Sequence, residues 1–207
     1  SQVERLDTPT TITSAGGVGT GTKWRAIAHQ QADGTVQYVA KSLETEGKML
    51  RALAWVEAGV GVLALFVGVF SSFIAGVAVA IAFGYTDAVS LTTIGTGAVT
   101  YIVGPVTGAA IGASSEVMAL SIAAGLVKAI VVMVATPFVA PYIGLNNPRS
   151  AVIFGGLIGT SSGVAGGLAA TDPKLVPYGC LTAAFYTALG CLLGPSLLFF
   201  VMRGLLG

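Results

Sequence analysis

The stretch that decides the fold is MLRALAWVEAGVGVLALFVGVFSSFIAGVAVAIAF, residues Met49–Phe83, in which Glu57 is the only charge after Arg51. As continuous helix it would measure roughly 52 Å, against a hydrocarbon core about 30 Å thick. One straight span does not account for it. Ser71-Ser72 and Gly76 are the candidate break points, which leaves two readings: a long first helix with an aqueous overhang, or a helix followed by a re-entrant piece.

The rest of the chain has the same character. It is 54% hydrophobic and 9% charged, with a mean hydropathy of +0.86, which excludes an ordinary water-soluble domain. Further apolar segments run from Ala88 to Ala113 (interrupted at Gly104-Pro105), Val117 to Ile143, Ala151 to Ala170 and Leu175 to Leu206. Asn146-Asn147-Pro148 and Thr171-Asp172-Pro173 punctuate them. The expectation is an all-α polytopic membrane protein with about five transmembrane helices, some broken, and six if the first segment divides. Residues 49–207 form the transmembrane domain and residues 1–48 a polar extramembrane arm with a small β-hairpin.

Charge is concentrated before the first span, in Arg5, Lys23, Arg25, Lys41, Lys48 and Arg51 with five acidic residues. Cations there favour a cytoplasmic, stromal or matrix side for that end. A net charge of +1 offers no field for nucleic acid, so no nucleic-acid partner is expected. Ser1 to Gly21 lacks periodic apolar residues and reads as an arm that orders on a partner; its first residues form neither an apolar signal core nor an Arg-rich presequence. Gly16-Gly17-Val18-Gly19-Thr20-Gly21-Thr22-Lys23 resembles a phosphate loop, but Thr22 separates the last glycine from the lysine and Trp24 follows it, so the register is wrong. From Thr22 to Ala40 alternation around Asp33-Gly34 predicts the hairpin. His29 lies on its first strand, with no constellation that would make it a base.

Within the membrane portion, GAAIGASSEV at Gly108–Val117 returns with six identities as GGLIGTSSGV at Gly155–Val164. Small hydroxyl-bearing segments at membrane depth are where transporters break helices to build sites, although a chain this rich in Gly, Ala, Val and Ser also produces short repeats by chance. Ser114, Ser115, Thr160, Ser161 and Ser162 in the two copies, with Thr107, are the candidate substrate-binding hydroxyls. Free backbone N–H groups beside the glycines suit an anion. Thr92, Thr96 and Thr100, four apart, form a candidate path lining; hydroxyls bonded back to preceding carbonyls are the competing reading. Lys128 lies near the middle of its span, where an ammonium needs a cavity or a partner. Glu57 or a neighbouring subunit is the expected partner, and attraction of a carboxylate substrate the expected role.

Cys180 and Cys191 are about 16 Å apart along a shared helix, beyond disulfide reach, and no cluster of ligands suggests a metal. Met118, Met133 and Met202 read as packing residues. No cofactor is called for, and no nucleophile and base pair suggests an enzyme.

From about Val103 onward the chain resembles the LrgB/CidB family, whose plastid relatives form the second half of the glycolate/glycerate translocator. The family's S-V-T-T-P-I-A element resembles Pro105-Val106-Thr107-Gly108-Ala109-Ala110-Ile111, followed by Ser114-Ser115-Glu116. Its G-T-A-S-H-x-x-G-T element is similar to Gly159 through Gly167, and its final G/A-P resembles Gly194-Pro195. Ala109 stands where the first element has proline and Gly163 where the second has histidine. The resemblance implies transport of a small monocarboxylate such as glycolate or glycerate, in a bacterial inner membrane or an organellar membrane.

Two functions are thus in competition. One is a transporter or channel for a small solute, a monocarboxylate anion above all. The other is a non-catalytic accessory subunit of a larger membrane complex of respiratory or photosynthetic type. Both place the chain in the lipid bilayer, as a homo-oligomer or among other subunits.

Overall fold

The computed structural model describes residues 9–13, 23–30 and 35–206, which fall into two compact units, Ser1–Glu57 and Ala58–Gly207. The turn expected at Asp33-Gly34, the glycine-rich stretch from Gly16 to Thr22 and most of the polar arm lie outside the described residues.

In the first unit β1 (Thr10–Thr13), β2 (Lys23–Gln30) and β3 (Val36–Ser42) form an antiparallel sheet in the order β1-β2-β3. The expected hairpin is β2–β3, with Ala26 opposite Ala40 and Ala28 opposite Tyr38. Ala26 and Ala28 are buried, whereas Trp24, Val36 and Tyr38 on the same alternation are exposed. Thr10–Thr13, read as arm, adds a third strand: three threonines and an isoleucine are β-branched, and the pleat accommodates them well.

Helix α1 runs unbroken from Leu43 to Ala82, so the opening stretch is one long helix and the break at Ser71-Ser72 does not occur. Ser71 bonds back to the Gly68 carbonyl at 3.2 Å, which keeps its hydroxyl inside the helix. The remaining helices are α2 (Ala88–Val99), α3 (Val103–Ile111), α4 (Ser115–Val139), α5 (Pro148–Ile158), α6 (Ser161–Ala169), α7 (Val176–Leu193) and α8 (Phe199–Leu206), with a π-turn at Gly194–Leu198 between the last two.

Among the described residues three stretches are long and apolar enough to cross a membrane: Leu53–Ala82, Ser115–Val139 and Pro173–Leu206. The two other segments read as spans are helical hairpins. In the first, α3 folds back along α2: a Cβ placed on Gly108 would lie 2.8 Å from Thr93 Cγ2, and one on Gly104 2.8 Å from Gly97 Cα. In the second, Gly179 of α7 faces the Ala151 carbonyl of α5 and also Val164 and Leu168 of α6. Collinear helices would hold Ala151 and Leu168 about 25 Å apart. A hydropathy window reads such a pair as one span because both arms are apolar.

The hairpins approach α4 from opposite ends. Gly108 packs at Met118, Gly97 and Gly104 at Ser121, and the α2–α3 tip at Gly125. Gly163 packs at Ala129 and Val132, Gly166 at Met133 and Gly167 at Thr136, so the α5–α6 tip also points to the middle of α4. Helix α1 meets the second hairpin at Gly68 and the first at Gly76; α7 meets them at Gly179 and Gly190. Nearly every crossing is made by a glycine, which lets backbones approach closely where the apolar effect between helices is weak. Separate apolar clusters serve the two hairpins, one including Leu91, Ile94 and Val103, the other Ala151, Val164 and Leu168.

The hairpins also correspond at several positions 60 residues apart. Asp87 and Asn147 cap α2 and α5 by accepting from the amides of Ser90 and Ser150 at 2.8 and 3.0 Å. Gly95 matches Gly155, and Thr100 matches Thr160 at the tips.

Candidate functional site

The first tip forms because the helix stops at Thr100, which is extended with φ −153° and ψ 157°. Pro105, expected to mark the break, instead sits in the first turn of α3, where a missing N–H costs nothing. The interruption frees a carbonyl. In a continuous helix the Val99 oxygen would take the N–H of Val103, but that N–H goes to the Thr100 carbonyl at 3.0 Å. The Val99 oxygen instead accepts from Lys128 Nζ at 3.1 Å.

Lys128, the fourteenth of the 25 residues of α4, is the centre of the arrangement. Its ammonium also donates to Ser72 Oγ of α1 at 2.9 Å and to the Tyr186 hydroxyl of α7 at 3.4 Å, and lies 5.3 Å from the centre of the Tyr186 ring. Tyr186 is wholly buried; its hydroxyl is within 2.9 Å of both the Gly68 carbonyl oxygen and Ser72 Oγ. Three N–H groups thus meet three uncharged acceptors, and the positive charge stays uncompensated by them. Glu57, the partner expected for Lys128, belongs to the first unit.

The second tip reaches the same place. Gly159, with φ +75°, ends α5 in the left-handed conformation that glycine adopts without penalty, and the Tyr186 ring occupies the space a side chain would need there. Thr160 follows in extended conformation as the N-cap of α6. Three long helices and two helix breaks thereby converge on Lys128 and Tyr186.

Both copies of the ten-residue repeat are helix breaks of one kind: Gly112 and Gly159 are left-handed C-caps whose N–H groups return to the carbonyls of Gly108 and Gly155. Their positions differ, because the first copy forms the exposed turn between α3 and α4 and the second forms the buried tip. Ser114 caps α4 by accepting from Val117 N at 3.3 Å, and with Ser115 it lies about 20 Å along α4 from Lys128. Ser161 and Ser162 are half-buried in the first turn of α6. Thr92 and Thr96 are buried, with hydroxyls donating to the carbonyls of Ala88 (2.6 Å) and Thr92 (2.7 Å). Thr100 Oγ1 accepts from the amides of Ile102 and Val103, both at 3.3 Å. Thr107 lies inside the first hairpin, packed on Gly194 of the π-turn. Ser72, Tyr186 and the Val99 carbonyl escaped the sequence reading, which sought a carboxylate for Lys128. A lone tyrosine in an apolar helix was the available signal.

A sequence model of the family described as malonate/sodium symporter MadM subunit matches residues 36–206. This overturns the LrgB/CidB resemblance. The elements that carried it, Pro105–Ile111, Gly159–Gly167 and Gly194-Pro195, fall on α3, the second tip and the π-turn, where glycine, proline and small hydroxyls serve helix-breaking generally. Neither a curated protein nor a solved structure matches the chain.

Proposed function

The chain belongs to the malonate/sodium symporter MadM subunit family, and from that premise we propose that it moves a small dicarboxylate of the malonate type together with sodium, binding the anion at Lys128 between the two hairpin tips. It is an integral membrane transport subunit for a small anionic solute. The observation that carries the finer reading is the mid-membrane ammonium whose acceptors, Ser72, Val99 and Tyr186, are all neutral. A charge held at such depth without an opposite charge among its hydrogen-bond partners marks a substrate path, and an arriving carboxylate supplies the missing charge.

The fold supplies the rest. Discontinuous helices meeting at mid-membrane place helix N-termini toward anionic groups and C-terminal carbonyls toward cations. Lys128 is already drawn to the C-terminal carbonyl of α2. Opposed hairpins give the site two sides from which it can be opened. The family's solute has two carboxyl groups, which favours a dicarboxylate over the monocarboxylate expected from sequence. The accessory role is not separate from this reading, since the family is itself one subunit of a symporter.

Proteoliposomes holding the assembled symporter provide the test. An inward sodium gradient is expected to drive malonate uptake that unlabelled malonate suppresses more strongly than acetate or glycolate. Absence of sodium-driven malonate uptake, or equal suppression by the monocarboxylates, would sink the proposal.

A further inference from the structure

The two tips, matched at Thr100 and Thr160, use that threonine differently. At the first, Thr100 Oγ1 accepts from the amides of Ile102 and Val103, so the start of α3 is closed by its own residue. At the second, the cap side chain makes no such bond. The Thr160 hydroxyl is wholly buried and has no hydrogen-bond partner. The amides of Ser161, Ser162 and Gly163 receive no acceptor among the described residues, and the first amide of α6 that is served is Val164, by the Thr160 carbonyl at 2.8 Å.

A buried hydroxyl and three buried or half-buried amides without partners are a costly arrangement. The nine-residue helix α6 adds the partial positive charge of its N-terminus. Thr160 stands at the N-cap, the position from which a hydroxyl ordinarily serves those amides. The site adjoins the Lys128 cluster, because Tyr186, whose hydroxyl accepts from Lys128 Nζ, packs its ring on Gly159 and the α6 N-terminal turn lies against Ala129.

We infer that the N-terminus of α6, with Thr160 Oγ1, is the subsite for the second carboxylate of the substrate, and that it confers the preference for dicarboxylates over monocarboxylates. This rests on the reading of Lys128 as the site of the first carboxylate. One carboxylate meets the ammonium; the other accepts from the Thr160 hydroxyl and the free amides of the α6 first turn. A monocarboxylate leaves those donors unserved, so a site built around them discriminates against it.

The test uses the assembled symporter in proteoliposomes, with labelled malonate as substrate and acetate and unlabelled malonate as competitors. Thr160→Val keeps the shape and removes the hydroxyl. It is expected to raise the KM for malonate about tenfold or more and to leave inhibition by acetate unchanged, so that the preference for malonate narrows by the same factor. Thr160→Ser, which restores the donor, is expected to recover the wild-type preference. A malonate-to-acetate preference in Thr160→Val equal to wild type overturns the inference, as does failure of Thr160→Ser to recover it while thermal melting shows the variant folded. Wild-type protein that takes up no malonate, by contrast, refutes the Lys128 reading itself.

Discussion

Replacing Gly159 by alanine separates two costs that the structure allows to be priced one against the other. Gly112 and Gly159 hold nearly the same left-handed conformation, φ +79° and +75°, and a non-glycine residue there costs roughly 1–2 kcal/mol. A Cβ on Gly112 meets nothing within 4 Å, so Gly112→Ala should lose about that and no more. A Cβ on Gly159 overlaps three ring atoms of Tyr186, which is wholly buried. Overpacking of this kind adds roughly 1–3 kcal/mol, and moving the ring endangers the hydroxyl's contacts with Gly68 and Ser72, each worth about 1 kcal/mol. Gly159→Ala should therefore destabilise by roughly 2–7 kcal/mol. Thermal melting in one detergent at one scan rate ranks the two variants, and Gly159→Ala in a Tyr186→Ala background should fall back to about the Gly112→Ala cost. Equal melting temperatures for the two alanine variants, or a Gly159→Ala penalty that persists without the tyrosine ring, would refute the packing of the second tip on α7.

Thr107 and Thr160 both carry buried hydroxyls without partners, so Thr107→Val and Thr160→Val are expected to melt at or above the wild-type temperature; a clear drop in either would mean that the hydroxyl has a partner. Gly125→Leu should prevent assembly of the first hairpin on α4, because even a Cβ there strikes the Tyr101 backbone; normal yield and a normal melting profile would count against the hairpin's placement. Cys180 and Cys191 are both free thiols, so two alkylated cysteines are expected by mass spectrometry after denaturation without reductant, and an unreactive pair would contradict this.

The sequence revealed most where a physical constraint is local. Glu57, Ser71 and Ser72 aside, Leu53–Ala82 is Ala, Gly and larger apolar residues, and a helix long and apolar enough to cross a membrane follows from hydropathy alone. Gly159 and Gly112 mark helix ends because glycine takes the left-handed cap, and the small hydroxyl residues beside them pointed to broken helices. The hairpins were illegible because α2 and α3, like α5 and α6, are apolar on both arms, and hydropathy carries no sign of chain reversal. The ten-residue repeat pairs two glycine caps of the same local sequence 47 residues apart, whereas the 60-residue correspondence rests on positions such as Asp87 and Asn147 or Thr100 and Thr160, which share a role more than a motif. Lys128 was identified as costly at depth, but its partners come from 56 to 58 residues away in sequence and from a backbone carbonyl. No local pattern announces such neighbours.

The account depends most directly on Lys128. Sodium-driven malonate uptake should be measured for Lys128→Gln in proteoliposomes containing the assembled symporter, with incorporation and melting checked against wild type. Removing one partner of a buried, hydrogen-bonded charge pair costs about 2–5 kcal/mol, so the uptake rate at subsaturating malonate is predicted to fall at least about 30-fold while the protein remains folded. Lys128→Gln protein that is folded and takes up malonate at close to the wild-type rate would contradict the account.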